Sequence, residues 1–162
     1  MGFITDLQTA SGKDYVINHH GFNPGDRQYI DRDYTFDYIP QIALGHSHIL
    51  TAGNDKMIPE DSLCLSFNVG VPVTVLVVYA DKLRTIPNWL CEYKDTREKV
   101  TRTDSNVSTL KGIFTLFAKD FEPGLVELNG NLSATMAEDS AFKASVGTNY
   151  CMYSVVVKKR AD

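Results

Sequence analysis

The segment Val73-Thr74-Val75-Leu76-Val77-Val78-Tyr79-Ala80 constrains the fold more than any other. It is apolar on both of its alternating faces apart from Thr74, it is rich in β-branched residues, and it lies between Gly70-Val71-Pro72 and Asp81. Such a run reads as a central β-strand covered on each side, because successive residues of a strand point to opposite faces and here both faces need burial. It is too short for a membrane span, which needs roughly 20 apolar residues. Extending it back to Val69 only adds Gly70 and Pro72 as interruptions.

Shorter signals of the same kind recur along the chain and predict strands at Tyr15 to Asn18, Tyr34 to Ile39, His46 to Ala52, Leu63 to Val69, Ile113 to Ala118, Gly124 to Leu128 and Tyr150 to Val157. In Leu63 to Val69, the residues Leu63, Leu65, Phe67 and Val69 share one predicted face and Cys64, Ser66 and Asn68 the other. Between these runs stand Asn23-Pro24-Gly25-Asp26, Gly53-Asn54-Asp55, Glu122-Pro123-Gly124 and Asn129-Gly130-Asn131. Proline presets φ and glycine accepts positive φ, so each can reverse the chain. Ala134 to Ala144 reads as a short helix or a loop over one end, and the charged, Thr-rich stretch Lys94 to Ser108 as an exposed excursion. The expected architecture is all-β, an antiparallel sandwich of the jelly-roll kind, with residues 1–162 as one domain.

A balance of 16 Lys plus Arg against 20 Asp plus Glu, net −4, argues against nucleic acid as a partner, since phosphate binding rests on clustered cations. The basic cluster Lys158-Lys159-Arg160 reads as a solvated tail after the last strand. Cys64, Cys91 and Cys151 are odd in number and widely spaced, which suits free thiols, with Cys64 and Cys151 as small buried hydrophobes. Met1-Gly2-Phe3-Ile4-Thr5-Asp6 has neither the charged start nor the long apolar run of a secretory leader. The expectation is therefore an intracellular protein or an excised piece of a larger secreted one. Neither membrane nor lipid anchoring is expected.

The order of motifs carries further information. Asp31-Arg32-Asp33-Tyr34-Thr35-Phe36 is followed by Asn54-Asp55-Lys56, the Val73 to Asp81 run, Pro87-Asn88-Trp89-Leu90 and Pro123-Gly124-Leu125-Val126-Glu127-Leu128-Asn129-Gly130-Asn131. This series, over about residues 28 to 131 and extending to the last strand near 150 to 157, resembles a β-sandwich accessory module of large secreted bacterial and fungal proteins, many of them polysaccharide-degrading. The resemblance implies a sandwich fold and glycan binding.

Several residues invite a chemical reading. Trp89, the single tryptophan, offers a flat apolar face for a sugar ring, with Tyr79 on the preceding strand and Asp81, Arg84, Asp55 and Lys56 as polar groups able to bond hydroxyls or a carboxylate. The alternative is that Trp89 plugs one end of the sandwich and the polar residues anchor loops. Asn54, Asp55 and Asp81 could supply oxygen ligands to calcium, although no EF-hand spacing is present. His46-Ser47-His48 would place two imidazoles on one strand face, the spacing of cupin-like metal sites, but no Glu follows at Leu50 to Gly53. His19-His20, being adjacent, would point to opposite sides of a strand. No G-x-S-x-G, G-x-x-x-x-G-K-[ST] or G-x-G-x-x-G occurs, and the acidic pairs Asp31 with Asp33 and Glu60 with Asp61 are ordinary for loops.

The leading expectation is thus a non-catalytic binding module for carbohydrate. The alternative is a structural or protein-interaction domain, and a metal-dependent cupin-like enzyme built on His46 and His48 is a distant third.

Overall fold

The computed structural model describes residues 2–83, 85–104, 107–145 and 151–160. Their strands, in chain order, are β1 (Ile4–Thr9), β2 (Val16–Asn18), β3 (Thr35–Tyr38), β4 (Ser47–Leu50), β5 (Leu63–Val69), β6 (Val73–Ala80), β7 (Lys94–Asp104), β8 (Val107–Phe121), β9 (Gly124–Asn129) and β10 (Ser154–Lys159). One sheet has the order β1-β5-β9 and the other the order β2-β4-β10-β6-β8-β7-β3, with antiparallel pairing throughout. The fold is an all-β antiparallel sandwich.

β6 lies at the middle of the seven-stranded sheet and is buried along its length except at Thr74, whose hydroxyl donates to Asp120 Oδ1 at 2.6 Å. Cross-strand partners share a face. Row by row, then, Ile49, Val155, Val77 and Phe117 lie on one side of the sheet, and His48, Val156, Leu76 and Ala118 on the other. On the first side the hydroxyls of Tyr79 and Tyr153 donate to Asn131 O at 3.0 Å and Asn129 O at 2.7 Å, at the end of β9, so this side meets the small sheet. The second side is covered by the sheet's own curl. Phe36 of edge strand β3 stacks on His48 of β4 with ring centroids 5.4 Å apart, and Phe22 packs against both. Phe22, Gln28 and Tyr29 fill the trough, with Tyr29 OH donating to Met152 O and Gln28 Nε2 to Ser154 Oγ.

Two expectations are corrected here. The described part of the stretch Lys94 to Ser108 is not an excursion: Lys94–Asp104 form β7, which pairs with both β3 and β8, keeps Lys94, Asp95, Arg97, Glu98 and Lys99 exposed and buries Val100. A bulge at Asp95 to Lys99, with Arg97 at φ 64°, breaks the alternation and hides the strand from a sequence reading. β1 went unpredicted for the same reason, since Asp6 at φ 55° interrupts its register with β5. In β5, a register shift between Leu63 and Leu65 leaves Leu63 42% exposed while Cys64 is buried, so Leu63 does not join the face of Leu65, Phe67 and Val69. The segment from Ala134 folds as two short helices, α1 (Ala134–Ala137) and α2 (Ser140–Ser145), the first capped by Ser133 Oγ accepting from Met136 N. Tyr150, the predicted start of the last strand, lies outside the described residues.

His48 is fully buried between the two phenylalanines, and neither ring nitrogen has a hydrogen-bond partner. Burial holds its pKa down at about 3. The unfolded chain therefore binds a proton at this site below about pH 6.5 that the folded chain refuses. The contribution of this site to stability is complete above that pH. It falls by about 1.4 kcal/mol per pH unit on acidification toward pH 3. Denaturant melts across this range should show that slope in the wild type, and a His48→Leu variant should lack this component of it. An unchanged slope would mean that His48 is solvated.

Candidate functional site

The strand β6 ends at Ala80 because Asp81 and Lys82 follow the apolar run, and the chain then crosses the end of the sandwich. Pro87, lacking a backbone donor, starts a 3-10 turn over Asn88–Glu92, and this turn buries Leu90 completely. Trp89 is half-buried. Its indole Nε1–H donates to Gly130 O at 2.9 Å, and its ring packs edge-on against Tyr93 and Tyr153, with centroids 5.8 and 5.5 Å away. Tyr79 is 2% exposed, with its hydroxyl bonded to Asn131 O. Burial pushes the Tyr79 phenol well up from its ordinary pKa, so it stays protonated as a donor.

The carrier residues of the motif series are hydrogen-bonding hubs. Asn131 Oδ1 accepts from Tyr153 N at 2.9 Å, while its Nδ2 donates to Cys151 O and Lys56 O at 3.0 and 3.3 Å. Gly130 must be glycine, since a Cβ there would collide with Ile58 O and Pro59 O. The Asp31 carboxylate accepts from Gly53 N and Asn54 N at 2.7 and 3.0 Å and from Arg32, and Arg32 in turn donates to Asn54 Oδ1. Arg102 lies 3.7 Å over the Tyr34 ring and donates to Gln28 Oε1 and Cys151 Sγ.

The nominated polar residues do not share one set of partners. Asp55 is 3% exposed and accepts from Ser11, Lys13 and Tyr15 at 2.7, 2.8 and 2.5 Å. Burial works to raise its pKa, but those three hydrogen bonds outweigh it, and the carboxyl lies below its ordinary value. Asp81 accepts from Lys99 Nζ and Thr115 Oγ1 at 2.7 and 2.5 Å. Lys56 is partly buried, which lowers its pKa, and the nearby positive Arg32 and Arg102 add to that. Arg84 lies outside the described residues. Asn54, Asp55 and Asp81, the calcium candidates, each already accept from a protein donor. His46 precedes β4 on a turn, where burial and Lys158 lower its pKa, whereas His48 is enclosed in the trough. Among the described residues no three His, Cys, Asp or Glu side chains converge to hold a metal.

A groove that the sequence did not single out runs beside β2 and β4. One cavity of about 430 Å³ is lined by Phe3, His19, His46, Ser47 and Lys159 among others. A second, of about 410 Å³, also touches His19 but lies on the other face of β2 and β4, past Asn18, His20, Asp26 and Arg27. His19 and His20 stand on the turn after β2, not within a strand. That turn is pressed onto the one before β4. Gly21, at φ 116°, lies so close to Gly45 that a Cβ would stand 2.8 Å from Gly45 O. Asn18 Nδ2 donates to Gly21 O and Asp26 Oδ2, fixing the far wall.

No family profile matches the chain, and no curated protein does. Solved structures do. A β-glucuronidase from glycoside hydrolase family 2 superposes with a TM-score of 0.78 over 99% of this chain at 19% identity. A GH138 enzyme targeting pectin rhamnogalacturonan II superposes with a TM-score of 0.57 over 97% of this chain at 14% identity. The likeness is one of fold. The chain spans 15% and 17% of the length of those two proteins. Its sandwich is thus similar to parts of carbohydrate-active enzymes, in keeping with the motif resemblance. No described helix is long and apolar enough to cross a membrane.

The indole geometry makes the stability of Trp89 variants informative. Trp89→Ala should cost about 3 kcal/mol, the low end for a large aromatic because one edge is open. Trp89→Phe, keeping the ring but losing the bond to Gly130 O, should cost about 1 kcal/mol. Urea melts of both variants measure this. Losses within about 0.5 kcal/mol of zero, as at ordinary surface positions, would mean that the indole is not part of the packing.

Proposed function

We propose that this chain is a non-catalytic module that binds carbohydrate. The observation that carries the reading is the fold likeness along 99% of the chain to a part of a β-glucuronidase, supported by the likeness to an enzyme that targets pectin. Fold alone hosts many functions, so the groove beside β2 and β4 matters as a second support. The cavity lined by Phe3 falls in the size range of small-ligand sites and combines an aromatic side chain with a few polar groups. In this reading Trp89 and Tyr79 act on the protein side, holding residues 81–93 against the end of β9, and Asp81 with Lys99 and Thr115 forms a polar surface beside them.

A second reading, a structural or protein-interaction domain, is favoured by one specific observation: the aromatic residue best suited to stack on sugar is pinned by Gly130, Tyr93 and Tyr153. Native gels cast with soluble polysaccharides separate the two readings. The binding module should be retarded by at least one polysaccharide and migrate normally in its absence. Unretarded migration of folded protein in every gel, with a partner protein captured instead, would favour the interaction reading.

A further inference from the structure

The groove beside β2 and β4 has a charge character that the carbohydrate-binding reading does not by itself require. The cavity beside Phe3 is lined by the cation Lys159 and by His19 and His46, with no carboxylate on its lining. Asp26 and Arg27 line the other cavity, on the opposite face of β2 and β4, and take no part in this one. Lys159 has no ion partner among the described residues, and its ammonium stands 5.7 Å over the Phe3 ring. Cation and apolar face therefore lie together at one end, beside the Ser47 and His46 side chains. The excess of positive charge belongs to this groove and not to the chain, whose net charge is −4.

We propose that this groove is a binding site for saccharides that carry an anionic group, with the carboxylate or sulfate ester held by Lys159 and His19 and the sugar ring lying beside Phe3. The inference rests on the carbohydrate-binding reading. An ammonium and a ring N–H are donors whose bonds strengthen when the acceptor is charged, and a neutral sugar gains nothing comparable from them. The wall at Gly45 is fixed in advance by the Gly21–Gly45 approach, so little ordering is required there on binding.

Titration calorimetry with three oligosaccharides of equal length, one a uronate, one sulfated and one neutral, tests the assignment. The wild type should bind at least one charged ligand more tightly than the neutral one. Lys159→Gln and His19→Ala should each weaken that binding about fivefold while the melting temperature stays unchanged. The stronger of the two charged arms identifies the anionic group. Equal affinity for neutral and charged ligands, or charged-ligand binding indifferent to both substitutions, would overturn the groove assignment and leave the carbohydrate-binding reading standing. Absence of binding to all three ligands, and to every polysaccharide in the gels, would sink both.

Discussion

The fold depends on one strand that cannot touch water on either side. β6 carries apolar residues on both faces and must be covered twice. One cover is the three-stranded sheet, reached through the Tyr79 and Tyr153 hydroxyls at the end of β9. The other is made by curling the seven-stranded sheet until β3 meets β4 and packing Phe22, Gln28 and Tyr29 into the trough. Burial of that much Val, Leu and Phe surface, at about 25 cal/mol per Å², is the main force available to bend the sheet. The curl also explains why a histidine with no hydrogen-bond partner is tolerated at its centre. His48 stands in as a flat ring between Phe22 and Phe36, at the cost of refusing a proton.

The double cover decides where the sandwich leaves open cavities. Aromatic side chains near the end of the sandwich are used to fasten residues 81–93, so Trp89, Tyr93 and Tyr153 present edges to one another before they present faces to solvent. The margin beside β2 and β4 is different. There the small sheet ends at β1, the large sheet continues to its edge strand β2, and two cavities open between turns held by glycine contacts. Sites formed at such margins leave the core undisturbed when their polar residues change, which is consistent with a binding role on an otherwise fully packed sandwich.

Much of the fold was legible because burial on two faces writes itself directly into composition. Leu63–Val69 and Val73–Ala80 have the boundaries that periodicity predicts. Strands with bulges were not legible: Asp6 and Arg97 take positive φ, which shifts the hydrophobic phase and disguises β1 and β7. The site was harder still. Trp89 drew attention by residue type, yet its environment is set by Gly130 and Tyr153, which are 41 and 64 positions later in the chain. Phe3, His19, His46 and Lys159 share no local pattern, and only the stacking of β1, β2, β4 and β10 brings them to one groove. The signal that could have found them is weak, a pair of glycines, Gly21 and Gly45, each beside a histidine.

The central claim is that saccharide is met at the groove while the aromatic cluster around Trp89 serves the fold. Amide and indole chemical-shift mapping during titration with a charged oligosaccharide tests this most directly. The account predicts progressive shifts at Phe3, His19, His46, Ser47 and Lys159, with the Trp89 indole N–H unmoved because it stays bonded to Gly130 O. Shifts centred on the Trp89 indole and its neighbours, with the groove silent, would contradict it.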